Sequence, residues 1–287
     1  MKRLVTLSGI LMLPIFLFAQ SSPEIGMFIG ISTYSGDLTE SSLTYRQSHP
    51  STGVLFRTPV YKNFGIRAGI DWGRLSGSDK LNADSSLFPR NLSFITNLAD
   101  MHLLAEYNFF NYGDNGFTPY FFAGISVFHF NPFVFDSTGK KVFLRPLSTE
   151  GEGFPEYPDR KPYNLTQISI PFGVGIKYAL TSTINLAFEF RINKTFTDYI
   201  DDVSTAYVDR NILLRERGSA AVYYAYRTNE LPAYRNDPYP AAGAQRGNPR
   251  IKDWYYFTGF TITYNLNEPH KSFWGAKINP LRNPGAK

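Results

Sequence analysis

Apolar and polar residues alternate along eight stretches of this chain. At 25–34, Ile25, Met27, Ile29 and Ile31 fall on one face and Gly26, Gly30 and Ser32 on the other. A second stretch covers about 52–61. From residue 64, Phe64, Ile66, Ala68, Ile70 and Trp72 alternate with Gly65, Arg67, Gly69, Asp71 and Gly73. At 98–110, Met101, Leu103, Ala105, Tyr107 and Phe109 oppose Asp100, His102, Glu106 and Asn108. A fifth stretch spans 117–131. The sixth sets Ile168, Ile170, Phe172, Val174, Ile176 and Tyr178 against Ser169, Gly173, Gly175 and Lys177; the seventh sets Ile184, Leu186, Phe188, Phe190 and Ile192 against Asn185, Glu189, Arg191 and Asn193. The eighth, 254–266, carries Tyr256, Phe260, Ile262 and Tyr264 on one side. A period of two marks strands with one apolar face.

The connections alternate in length. Short ones fall at 62–63, 111–116 and 181–183, long ones at 37–51, 77–97, 132–166 and 197–253. In hydrocarbon every backbone N–H and C=O needs an internal partner, so only helices and closed barrels cross a membrane. An even number of antiparallel strands with tight turns at one end and long loops at the other is the plan of an outer-membrane barrel. The pattern therefore predicts an all-β protein: an eight-stranded antiparallel up-and-down transmembrane β-barrel over 20–266, with short periplasmic turns and long extracellular loops. Helical periodicity is nearly absent. Pro232, Pro238, Pro240 and Gly243 in the last loop suggest that part of it is mobile.

In a membrane barrel the apolar face points to lipid and the polar face to the lumen. The polar faces here carry Arg67, Asp71, Asp100, His102, Glu106, Lys177, Glu189 and Arg191. Eight strands leave a lumen just wide enough for side chains to fill. These eight residues are expected to form a lumen ion-pair network rather than a catalytic or conducting site.

Both ends of the chain add to this picture. Lys2 and Arg3 precede an apolar run to Phe18, and Ala19 is small, so 1–19 reads as a cleavable signal peptide that directs export to the outer membrane. Beyond it the longest apolar run, 220–226, is far short of the about 20 residues of a spanning helix. Residues 267–287 continue past the last strand as a periplasmic tail. The tail has Lys271, Lys277, Arg282 and Lys287, no acid after Glu268, and apolar anchors including Phe273 and Trp274. Phe273, Trp274, Lys277 and Arg282 are candidates for docking a partner.

Composition excludes several classes. There is no cysteine, hence no disulfide or thiolate metal site. The net charge of +5 falls to +3 once Lys2 and Arg3 are removed (5 − 2), too mild to suggest a nucleic-acid partner. Aromatic residues make up 16%, with 25 Phe and 19 Tyr; a globular core could use them, but they also supply the interfacial girdles of membrane barrels. The four histidines, His49, His102, His129 and His270, lack metal-ligating spacing. His102 between Asp100 and Glu106 has the makings of a base and its orienter, but no serine nucleophile is assigned beside it. His129 reads as interfacial. Asp198, Asp201, Asp202 and Asp209 lack the glycine and spacing of a calcium loop and read as a solvated loop. Gly173 and Gly175 lie within a strand, which removes a nucleotide-binding reading. No enzyme, cofactor or metal is expected.

Seven segments carry a resemblance: YSGDL at 34–38, GRLSGSD at 73–79, RNLSF at 90–94, TPYFFAGISVFHFNP at 118–132, PLSTEGEG at 146–153, QISIPFGVG at 167–175 and KTFTDYIDDVST at 194–205. Together they resemble the PorG-like outer-membrane β-barrels of Bacteroidota, associated with the type IX secretion system. The likeness spans about 24–266. It implies a non-enzymatic barrel, set in outer-membrane lipid, that meets on its periplasmic side a ring of a PorK-like lipoprotein and a PorN-like protein. A small porin-like or ligand-binding barrel of the OmpW or OmpX kind is the alternative, and a lipid-modifying barrel enzyme a third reading.

Overall fold

The computed structural model describes residues 22–39, 45–82, 84–110 and 116–266. The leader, residues 111–115 and the tail with Phe273, Trp274, Lys277 and Arg282 lie outside the described residues, so the structure does not bear on those expectations.

Eight long strands form the barrel: β1 (Glu24–Ser35), β2 (His49–Tyr61), β3 (Phe64–Ser78), β4 (Ser93–Asn108), β5 (Phe117–His129), β8 (Thr166–Ala179), β9 (Ile184–Thr195) and β10 (Trp254–Asn265). Each pairs antiparallel with its neighbours, and β1 meets β10 from Glu24↔Asn265 to Ser35↔Trp254, so the sheet closes. The closing seam is tight. Gly30 faces Gly259 across it, and a Cβ at Gly30 would stand 2.2 Å from the Thr258 carbonyl oxygen.

The packing is inside-out relative to a globular protein. Ile25, Ile125 and Ile168 are 54%, 66% and 61% exposed, whereas Arg67 and Glu106 are 1% exposed. An apolar exterior of this extent fits a lipid environment and no aqueous one. Aromatic rings collect where the band ends. At the short-turn end Tyr107 contacts Phe64, Phe109 and Phe121 with centroids 4.9, 5.5 and 5.6 Å away. At the long-loop end Trp254 meets Phe172 edge-on at 6.5 Å. Just beyond, the outward rows turn polar: Arg74 follows Trp72 on β3 and donates to Asn97 of β4 at 3.3 Å, and Lys194 lies 5.9 Å from the Trp254 ring. Every acid within the eight strands, Glu24, Asp71, Asp100, Glu106 and Glu189, is buried in the interior.

The connection between β2 and β3 is the two-residue turn Lys62-Asn63, with Lys62 at φ +40°. The opposite end departs from the sequence expectation. Strands β3 and β4 run on past residue 73 and begin before 98, so they rise above the membrane band. The third long loop contains a hairpin, β6 (Phe133–Phe135) and β7 (Lys141–Phe143), joined to β4 through Ile95↔Phe133. The last loop, expected to be partly mobile, instead folds into helices α1 (Arg210–Arg217) and α2 (Ser219–Ala225). Asp209 caps α1 by accepting from the Asn211 and Ile212 amides, 2.8 and 3.1 Å. Leu213, Ala221 and Ala225 then pack with Phe154 and Val208 of the loops into a small core of their own. Apolar contact overrides the prolines, and the long loops become one folded cap.

Candidate functional site

The alternation of each strand places its polar residues on the inside, where they meet in two layers. In the layer nearer the short turns, Glu106 of β4 receives Arg57 Nε at 2.8 Å, Lys177 Nζ at 2.7 Å and Arg67 Nε at 3.2 Å. Glu189 of β9 receives Arg67 Nη1 at 2.6 Å and Arg57 Nη2 at 3.5 Å, and the Tyr120 hydroxyl donates to it. Glu24 binds Arg57 at 3.3 Å and accepts from Thr263 and Asn185 at 2.7 and 3.1 Å. Three carboxylates thus face Arg57, Arg67 and Lys177, and the formal charges cancel (3 − 3 = 0). The second layer centres on Arg191, whose Nη2 lies 2.6 Å from Asp71 and 3.5 Å from Asp100. Tyr255 donates to Asp100 at 2.5 Å. His102 Nδ1 stands 3.3 Å from Asp100, 3.4 Å from Asp71 and 3.0 Å from Arg191 Nη1.

The structure therefore brings together all eight residues of the expected network, divided four and four between the layers. Sequence reasoning missed Glu24, Arg57 and Tyr120, which complete the first layer. The signal was present, since Arg57 follows Leu55 at the spacing of one strand face, but the faces of the second strand carry few polar residues to set its phase. Asp71, Asp100 and His102 have ligand atoms within 4.8 Å of one another, as a metal site would need. The Arg191 guanidinium stands among them at hydrogen-bond distance, so a fixed cation already occupies the place an ion would take.

The layers fill the lumen. Between them remains a gap of about 10 Å³ lined by Arg67, Asp71, His102, Glu189 and Arg191, about one water's worth. Arg67 and Arg191 cover the Phe122 and Phe257 rings at 4.6 and 4.4 Å, closing the section further. On the short-turn side the lumen opens into a polar vestibule of about 700 Å³ edged by Glu24, Arg57, Lys62, Glu106 and Lys177.

Above the second layer lies an aromatic plug that includes Phe94, Phe128, Phe130 and Tyr255, and above that the cap. Asp198, Asp201 and Asp202 are buried in it, which corrects their reading as solvated; of the four acids in that run Asp209 alone keeps partial exposure, as the helix cap. Segment folding explains the reversal, because 194–205 turns inward against 149–152. Glu150 accepts from the Ser204 and Thr205 amides at 3.0 and 2.8 Å and from the Thr205 hydroxyl at 2.7 Å, and it pairs with Arg246 at 2.9 Å. Asp202 accepts from Thr149 and Tyr163 at 2.6 and 2.7 Å. The Tyr34 hydroxyl lies 2.7 Å from both Asp201 and Asp253. A hydroxyl has one proton to donate, so one of those two carboxyls carries a proton of its own. At the edge of the membrane band, level with Trp72, His129 is exposed and contacts Thr166 at 3.0 Å, the interfacial position expected.

Burial raises several of these acids. Asp198 is pushed up to about 7 and Glu152 to about 8, chiefly by desolvation; Glu152 is also raised by neighbouring Asp202 and Glu150. Asp201 and Asp253 are raised by burial too, Asp201 with help from Asp253. An acid whose folded pKa is raised holds its proton longer when folded, so the folded cap binds more protons than the open one between about pH 4 and 8 and loses stability as pH climbs through that window. Hydrogen exchange of amides in 196–253, corrected for intrinsic rates, is expected to be at least about tenfold more protected at pH 5 than at pH 8.5, the equivalent of one pKa unit. Equal protection at both pH values would contradict the burial of these acids.

The sequence model of a family described as a domain of unknown function (DUF6089) matches residues 2–143. No curated protein matches. Among solved structures the chain is similar to Neisserial surface protein A, at 11% identity and TM-score 0.39, covering 86% of this chain and 99% of that one. It is also similar to Ail, the attachment invasion locus protein of Yersinia pestis, at 8% identity and TM-score 0.38, covering 85% and 96%. OprG of Pseudomonas aeruginosa follows at 11% identity and TM-score 0.36, covering 85% and 97%.

Proposed function

We propose that this protein is a non-enzymatic outer-membrane barrel that serves as a mount for periplasmic partners, an anchor or accessory component of type IX protein secretion. The observation that carries the first part is the filled lumen: two charge layers with about 10 Å³ between them leave no path for solute. A porin-like role would need that path. Both described ends of the barrel, Glu24 and Asn265, lie at the short-turn end, so in an exported barrel the short turns and the 700 Å³ vestibule face the periplasm and the cap faces outward. The last described strand ends at Asn265 on the rim of that vestibule, so the basic tail with Phe273 and Trp274 starts where a periplasmic partner would be met.

Support for the type IX assignment is the resemblance of the loop motifs. Two of the segments that carry it, 146–153 and 194–205, meet at Glu150, Ser204 and Thr205 in the core of the cap. Their residue types are those the fold of that cap requires. Ser126 stands opposite His102 on β5, but its hydroxyl is paired with that of Ser169 at 2.6 Å and the imidazole is held by Asp100, Asp71 and Arg191, which favours a structural role over a lipid-modifying one.

The test is a pull-down from solubilised envelopes with the full chain and with a chain ending at Asn267. The full barrel is expected to recover a PorK-like lipoprotein and a PorN-like protein, and the shortened one to recover at least about tenfold less. Failure of the full chain to recover either would sink the secretion reading. In planar bilayers the same preparation is expected to be electrically silent; steady single-channel steps would favour the porin-like alternative.

A further inference from the structure

We infer that the barrel's outer flank over β3, β4 and the β6–β7 hairpin binds a phosphorylated, multiply acylated glycolipid of the outer leaflet. The inference rests on the outer-membrane reading above and goes beyond it by naming a ligand and a place.

The flank is built in three parts. Outward-facing residues on β3 and β4 run from apolar (Ile70, Trp72, Met101) through Arg74 and Asn97 to Ser76 and Ile95, so the boundary of the lipid band is crossed here. Strand β6 then takes the place beside β4 that β5 leaves at His129, and the β6–β7 hairpin extends the same outer face with Phe133, Phe135 and Phe143. Phe135 and Phe143 are exposed while their rings pack against Phe133. Between the hairpin and the tops of β2 and β3 runs a groove of about 350 Å³, walled by Phe135, Ile95 and Leu81 and edged by Arg46, His49 and Arg227.

Charge and continuity identify the occupant. No carboxylate among the described residues lines the groove. Arg227 is held by Glu230 at 2.7 Å, but Arg46 and Arg74 are exposed and make no ion pair among the described residues, and Lys140 and Lys141 follow on the hairpin. Arg74 lies two residues below Ser76 of the groove wall, about 7 Å along the strand. A groove with apolar walls and unpaired cations, opening directly from the lipid-facing surface at headgroup height, matches a molecule with acyl chains below and phosphate above. An aqueous anion would leave Phe135, Phe143 and Leu81 unused, and a neutral lipid would leave the arginines unused. Acyl chain lies against Phe135, Ile95 and Leu81, and phosphate is met by Arg46 and Arg74.

The probe is lipid A, followed by native mass spectrometry of the full chain released from detergent. Wild type is expected to retain lipid A, and R46E/R74E to retain at least about tenfold less. Lys194→Glu, on the opposite side of the barrel, is expected to behave as wild type. Equal loss in K194E, or full retention in R46E/R74E, would overturn the inference. Wild type is also given dephosphorylated lipid A, which removes dependence on any variant's folding; at least about tenfold weaker retention is expected, and equal retention would overturn phosphate recognition. Heat-modifiable migration of the outer-membrane fraction is read in parallel. Absence of the folded barrel from that fraction would count against the membrane reading itself, separately from the lipid result.

Discussion

Replacing Glu106 by alanine is expected to destabilise the barrel by about 3–5 kcal/mol, the range for breaking a buried ion pair from one side. Glu106 is approached by Arg57, Arg67 and Lys177 within 3.2 Å, and its side chain is fully buried. Without it three buried cations face only Glu24 and Glu189. The loss is therefore more the unbalanced charge left behind than the contacts removed. That distinction is measurable, because E106A/K177M restores the balance (two cations against two acids) and should recover at least about half of the loss, a coupling that a double-mutant cycle reads directly. Urea unfolding in lipid vesicles, followed by heat-modifiable migration, supplies the free energies. A loss under about 1 kcal/mol for E106A would mean that vestibule water replaces the carboxylate and that the lower layer is not a sealed plug.

A second large effect is expected at Glu150, with a different outcome. Glu150→Ala removes the acceptor of two backbone amides and one hydroxyl and leaves Arg246 with the Asp202 carbonyl at 2.6 Å and its carboxylate only at 4.0 Å. Local opening of the cap should become easier by about 3 kcal/mol, more than a hundredfold in the open population. The barrel strands contribute nothing to this contact set, so their unfolding free energy should stay within about 0.5 kcal/mol. Limited proteolysis within 196–253 is the readout. Glu150→Gln, which keeps an acceptor but loses the charge, should fall between the two. Faster cleavage together with a loosened barrel would show that cap and barrel unfold as one unit.

The barrel was legible because a strand in lipid repeats one rule at every second residue, and eight strands repeat it eight times. The lumen residues followed from the same alternation, which is why Arg67, Asp71, Asp100, His102, Glu106, Lys177, Glu189 and Arg191 could be named before any geometry was known. Arg57 and Glu24 escaped because strand β2 offers few polar inward residues to set its phase and Glu24 sits at the first position of β1. The cap was not legible. Its acids look like solvent-facing charges because the partners that bury them, Arg246 for Glu150 and Tyr34 for Asp201 and Asp253, lie 96, 167 and 219 residues away. Nothing local in the chain records such pairings. The short helices were hidden for a related reason: RNILLRER and SAAVYYA owe their stability to docking on Phe154 and Val208 rather than to propensity.

The hydroxyl of Tyr34 touches Asp253 at the head of the last strand, although Tyr34 itself belongs to the first. Those two strands are the most distant pair in the chain, so their meeting is the slowest loop to close. Tyr34 pairs at the cap end of that seam, and its bonds to Asp253 and Asp201 tie the join to the cap above it. The cap acts as a clasp over the join, holding shut the one strand pair through which a newly inserted cylinder could reopen.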